Sequence, residues 1–285
     1  ILFFFIIFSI YSYNRYSAYG NDVPAHLFFQ IFFIYIIFQE KNDVNFLGKI
    51  ILIASFLFMI KPFMIILFPI IGFFFFKTEK KLYILLDRKI IFSLVFVFLW
   101  IVKNIIVSGC AIYPISKTCI GNIQYFDAKK TKIESISGEA WSKDWNNYKE
   151  KKYNIDEYNK KFRWLSTWSQ THFKIIIEKF GPFVLFLVIM NFVFFLCRDR
   201  EQKKINNFLK INYSILIFFL FSLTFIWFIK FPIYRYGSSF LGVLFIFIFN
   251  FFIKKSSFLT KQKVIKDIIS FVVILAIIGF SLKNS

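Results

Sequence analysis

Apolar residues along this chain gather in long uncharged blocks, with the charges collected between them. Blocks such as Ile1–Ile10 and Phe183–Cys197 contain no charged side chain at all. An α-helix rises about 1.5 Å per residue, so about 20 apolar residues cross about 30 Å of hydrocarbon. On that basis the candidate spans are Ile1–Tyr11, Leu27–Phe38, Ile50–Ile60, Phe63–Phe76, Ile90–Val107, Ile175–Cys197, Tyr213–Phe231, Phe240–Ile253 and Ile268–Leu282. The pattern predicts an all-α, polytopic transmembrane helical protein of about 8–9 spans. A helical extramembrane segment is expected in the middle. Three parts are expected: an N-terminal bundle over 1–107, an extracytoplasmic loop with interfacial helices over 108–173, and a C-terminal bundle over 174–285. The chain opens inside an apolar run at Ile1, without a basic segment before it or a small-residue cleavage site after it. Ile1–Ile10 therefore reads as the tail of a truncated first span, not as a signal peptide.

Lys61-Pro62 interrupts the apolar stretch Ile50–Phe76. Proline removes a backbone donor and lysine resists burial, so the stretch is either one kinked span or two spans joined by a turn. The two readings differ in sidedness. The short loops Lys77–Lys89, Arg198–Asn212 and Lys254–Asp267 hold five Lys or Arg each, against two in Lys230–Ser239. By the positive-inside rule the three basic loops face the cytoplasm, and the long segment and Pro232–Ser239 face the other side. Ser12–His26 carries so little charge that its side depends on Lys61-Pro62. Two spans put it outside, and that is the reading adopted.

Composition changes this picture little. The chain has 285 residues, 58% hydrophobic, with 46 Phe and a net charge of +20. Phe, Ile, Lys, Asn and Tyr are the residues AT-rich codons specify, so their abundance carries no functional weight. The positive charges sit in loops between spans and form no continuous basic face, which argues against nucleic acid as a partner. The phosphate-binding and nucleophile-elbow signatures of soluble enzymes are absent, so no nucleotide is expected. Two His and no Cys-x-x-Cys or His-x-x-x-His spacing give no metal site.

The long segment Ser108–Phe173 contains Trp141, Trp145, Trp164 and Trp168. Trp164, Trp168 and His172 recur every four residues and share a helix face. They read either as an interfacial belt or as an aromatic platform for a sugar or lipid. Cys110 and Cys119 lie nine apart in the same segment, either as a disulfide around Tyr113-Pro114 or as free thiols.

Three clusters carry candidate chemistry. Arg15–His26 concentrates Arg15, Asp22 and His26, with Asp22 and His26 four apart on one helix face. Asp22-Val23-Pro24 also suits a helix start, so Asp22 is either an N-cap or a general base or cation site. Trp100–Pro114 holds Lys103 within a span, which either snorkels to the interface or marks function, and leads to Tyr113. Trp227–Ser239 brings Lys230 and Arg235 to an outer span end, as headgroup anchors or as a clamp on phosphate.

The layout resembles the GT-C glycosyltransferases, polytopic enzymes that use polyprenyl-phosphate sugars. Asp22 matches the acidic residue of their first outer loop. Lys103–Pro114 (KNIIVSGCAIYP) resembles the Lys/Arg-Asn … Gly … Tyr-Pro stretch of protein-mannosyltransferase-like and related bacterial membrane proteins. Phe231–Ser239 (FPIYRYGSS) resembles their late outer loop. The usual acidic pair is reduced here to Asn21-Asp22. The resemblance implies a lipid-linked sugar as donor, membrane lipids as surroundings, and transfer to a lipid, glycan or protein on the outer face. Asp22 would be the catalytic base, or alternatively the ligand of a divalent cation. Arg15, His26, Lys103, Tyr113, Lys230 and Arg235 would bind substrate. A surface-polysaccharide polymerase or ligase, and a non-enzymatic transporter or assembly factor, are the competing expectations.

Overall fold

A computed structural model of the chain describes residues 1–13, 20–39, 42–78, 83, 86–121, 126–150, 152–196, 213–255 and 262–284. Among the described residues every named element is a helix. Four helices among the described residues are long and apolar enough to cross a membrane: Arg88–Ser108, Leu165–Val193, Tyr213–Lys230 and Tyr234–Phe251. Shorter apolar helices cover Leu2–Ser12, Asp22–Phe38, Val44–Ile60, Pro62–Lys77 and Ile269–Gly279. The chain divides into two compact units, described in turn.

The first unit comprises Ile1–Glu40, Ile175–Ile226 and Tyr234–Ser285. It contains α1 (Leu2–Ser12), α2 (Asp22–Phe38), α10 (Tyr234–Lys255) and α11 (Gln262–Asn284), with most of α8 (Leu165–Leu196) and of α9 (Tyr213–Lys230). Its core is a Phe lattice. Phe29 meets Phe240 at 4.8 Å and Phe33 meets Phe247 at 5.9 Å, edge to face. These pairs climb together in sequence, so α2 and α10 run parallel. Phe5 touches Phe247 and Ser9 bonds Gln30, so α1 runs against both. Gly242 lets α1 approach: a Cβ there would overlap the Phe8 ring. The end where α1 stops is thus the end where α2 and α10 begin.

The second unit comprises Lys41–Lys174 and Trp227–Ile233. Here Lys61-Pro62 ends α3 (Val44–Ile60): Lys61 is extended, and a 3-10 turn over Pro62–Leu67 leads into α4 (Phe68–Lys77). Phe58 packs on Phe68 and Phe46 on Phe74, so α3 and α4 form an antiparallel hairpin. Helix α5 (Arg88–Ser108) lies parallel to α3, with Trp100 on Phe58 and Asp87, its N-cap, against Gly48. Only Ile90 and Ser93 of α5 are buried, while Phe92, Phe96, Phe98 and Leu99 are at least half exposed. Such an unbroken apolar surface suits acyl chains and not water.

The rest of the unit is a polar-surfaced helical cap of α6 (Ala128–Ser142), α7 (Ile155–Tyr158) and the start of α8. Its centre is Trp164, 1% exposed, in edge-to-face contact with Trp168. Trp168 Nε1 donates to the Pro232 carbonyl at 2.5 Å, and Trp227 Nε1 to the Ile233 carbonyl at 3.1 Å. Trp164 and Trp168, read from the sequence as an interfacial belt or an aromatic platform, are core instead. Their shared face packs on Phe228. Helix α8 begins at Leu165, ten residues ahead of the expected span at Ile175, because this packing extends it.

Candidate functional site

The first unit gathers its buried polar groups at one end. Asp22 is the first residue of α2, after Asn21, and its carboxylate pairs with the Arg235 guanidinium near the start of α10. As a capping residue it would have bonded α2's own backbone. Asn21 takes the N-cap place, without a side-chain cap bond, and the Asp22 carboxylate reaches α10 instead. A carboxylate in the first turn also gains from the positive end of the helix. The Asp22 side chain is 3% exposed and that of Arg235 44%, so the pair presents only its cationic half to the outside.

One turn further on, His26 is fixed through both ring nitrogens. Its Nε2 lies 2.8 Å from the Arg235 backbone carbonyl and its Nδ1 2.8 Å from Ser239 Oγ. A carbonyl only accepts, so Nε2 carries a hydrogen and the neutral ring accepts at Nδ1 from the Ser239 hydroxyl. Tyr13 stacks on the imidazole, with rings 6° apart and centroids 5.5 Å apart, and its hydroxyl is 3.4 Å from Ser238 Oγ. Deeper still, Ser9 Oγ donates to Gln30 Oε1 at 2.7 Å. Asp22, His26 and Gln30 recur every four residues along α2, and Arg235 and Ser239 do so along α10. Two i,i+4 stripes therefore face each other across parallel helices.

Of the residues singled out from sequence, Asp22, His26 and Arg235 come together here. Arg15 lies outside the described residues. Lys103, Tyr113, Cys110, Cys119 and Lys230 belong to the second unit. There Lys103 is exposed on α5, more than a turn before its end at Gly109, whose φ of 73° closes the helix. Cys110 and Cys119 form a disulfide across a two-residue bridge that ties Gly109–Ile120 into a tight loop. Tyr113 stands on that loop, 39% exposed. Lys230 pairs with Glu139 at 3.6 Å, and Glu139 also holds the buried Lys143 ammonium at 2.5 Å. Burial pushes the Lys143 pKa below the usual lysine value, and Glu139 opposes this. Among the described residues no group of His, Cys, Asp and Glu is placed to hold a metal ion.

Sequence reading missed Ser239, Ser238, Tyr13, Ser9 and Gln30. The four-residue interval between Arg235 and Ser239 was the one signal for the first of these. It was hidden by starting that span at Phe240, whereas α10 begins at Tyr234.

Among the described residues the molecule is thus all-helical, with four membrane-length apolar helices and a buried polar cluster where α1, α2 and α10 adjoin. It belongs to the family described as Domain of unknown function (DUF8201), whose model matches residues 1–242 and so takes in the whole cluster. No curated protein and no solved structure matches the chain.

Proposed function

We propose that this protein is a multi-span bacterial inner-membrane glycosyltransferase that moves a sugar from a polyprenyl-phosphate donor to an acceptor on the outer face. In this reading α1 to α5 and α8 to α11 make up to nine crossings, and the basic loops lie inside. The observation that carries the reading is the Asp22–Arg235 pair at the adjoining starts of α2 and α10. Its exposed guanidinium suits the fork of a phosphate, and its buried carboxylate suits a base. The two roles are linked. A donor phosphate arriving at Arg235 competes with Asp22 for the same N–H groups and frees the carboxylate. The freed carboxylate accepts the proton of the acceptor hydroxyl as that oxygen bonds the anomeric carbon. The anomeric carbon–oxygen bond breaks, and the electron pair leaves on the polyprenyl phosphate against Arg235. His26, held through both nitrogens, positions Arg235 by its backbone.

The test is transfer by the protein reconstituted in liposomes with a labelled polyprenyl-phosphate hexose, scored as release of polyprenyl phosphate. Asp22→Asn should abolish release while the protein still inserts and melts cooperatively. An active Asp22→Asn protein would sink the reading.

A further inference from the structure

Below the ion pair, the first unit keeps hydrogen-bonding capacity that nothing among the described residues uses. Gln30 is 2% exposed, and its Nε2 has no hydrogen-bond partner; neither has Ser12 Oγ. Reversing the amide does not remove the problem. The nitrogen would then donate to Ser9, and the oxygen would be left over in its place. The Tyr13 hydroxyl lies close to the Gln30 amide but outside hydrogen-bond geometry with its nitrogen. A buried polar side chain that spends one end and leaves the other idle is a rare arrangement, and calls for a ligand or a bound water.

The position limits what that ligand is. Gln30 lies on the same face of α2 as Asp22, eight residues on, or about 12 Å along the axis. Ser9 and Ser12 are three apart on one side of α1, and Ser9 is the one bonded to the amide. The side chains there are hydroxyls and an amide: Ser9, Ser12, Tyr13 and Gln30. The charges of the cluster, Asp22 and Arg235, are engaged with each other at its mouth. Among the described residues a charged ligand would find no counter-ion at that depth, whereas a neutral hydroxyl can accept from Gln30 and exchange a bond with Ser12.

We infer that Ser9, Ser12, Tyr13 and Gln30 form a neutral subsite that binds an uncharged hydroxyl-bearing group, leaving the phosphate to Arg235. This rests on the glycosyl-transfer reading, in which that group is the donor sugar.

The experiment compares two probes on the full chain in lipid nanodiscs: a polyprenyl-phosphate hexose and the same polyprenyl phosphate without sugar. The wild type should prefer the sugar-bearing lipid by about tenfold, the equivalent of one well-made hydrogen bond. Gln30→Leu should erase that preference and leave binding of the bare lipid phosphate unchanged. Ser12→Ala, a smaller change, should reduce it in the same direction and keeps the test valid if Gln30→Leu does not fold. An unchanged preference in both variants would overturn the subsite and leave the transferase reading standing. The same holds for a rise in melting temperature of Gln30→Leu without any change in preference, which would mark a bound water only. If the wild type binds neither lipid, the transferase reading itself fails and the subsite with it.

Discussion

Asp22 and Arg235, 213 residues apart in sequence, share one ion pair whose two halves are unequally buried. Loss of either half should therefore cost different amounts. Arg235→Gln strips the guanidinium from a carboxylate that water scarcely reaches, at a cost of about 1–3 kcal/mol. Asp22→Asn leaves an arginine that can turn to solvent, and should cost less. Thermal unfolding in detergent should rank Arg235→Gln below Asp22→Asn. The double variant should recover part of the loss, because it leaves no lone buried charge.

The approach of α1 to α10 depends on Gly242. Gly242→Val puts a branched side chain into the space of the Phe8 ring, and overpacking of this kind costs about 1–3 kcal/mol. Phe8→Ala opens a cavity in the same place, and on its own costs about 3–5 kcal/mol. Combined, the two should cost less than their sum. A double-mutant cycle on melting temperature reads this directly, and strict additivity would show that the two positions are not in contact.

In the second unit the indole of Trp168 bonds the carbonyl of Pro232. Trp168→Phe keeps most of the aromatic packing on Trp164 and Phe228 and removes the donor. It should destabilise the unit by about 1–3 kcal/mol, since the carbonyl is left buried without its donor. Amide exchange should then accelerate around Phe231–Ile233 and not at the α2–α10 core.

Tyr158 gives the same unit a pH dependence. Its hydroxyl donates to the Lys143 carbonyl at 2.7 Å, and burial raises its pKa above the ordinary 10.0. The folded state thus holds this proton more tightly than the unfolded chain. The resulting stability is fully present below pH 10.0 and is lost as pH rises through the folded pKa. Lys143 acts in the opposite sense below its ordinary 10.5. The difference between wild type and Tyr158→Phe isolates the tyrosine. Alkaline unfolding followed by Trp emission should be steeper in the wild type than in Tyr158→Phe.

The sequence was most legible where one physical effect dominated. The α5 and α9 runs are apolar throughout, and their helices fall close to where hydropathy put them. Asp22-Val23-Pro24 announced a helix start, and α2 does start there. What Asp22 binds was not legible, because its partner is set by tertiary packing of α2 on α10. Trp164 and Trp168 misled for a related reason. Their four-residue spacing fits a membrane-surface stripe as well as a buried one, and only the segment Phe228–Ile233 decides between them. Tyr234–Ser239 is polar, so it looked like loop, whereas its polar groups are the ones α10 turns toward α2.

The turn at Lys61 has a consequence of parity. Helices that lie side by side in the same direction enter a bilayer from the same side, which requires an odd number of crossings between them. Between α2 and α10 the chain offers five apolar helical stretches: α3, Pro62–Lys77, α5, α8 and α9. Fuse the first two into one kinked span and the number becomes four. In a bilayer α10 would then run the other way, and Arg235 would meet the opposite leaflet from Asp22. In the nine-crossing reading, one extended lysine followed by proline thus separates a chain that can close this ion pair from one that cannot.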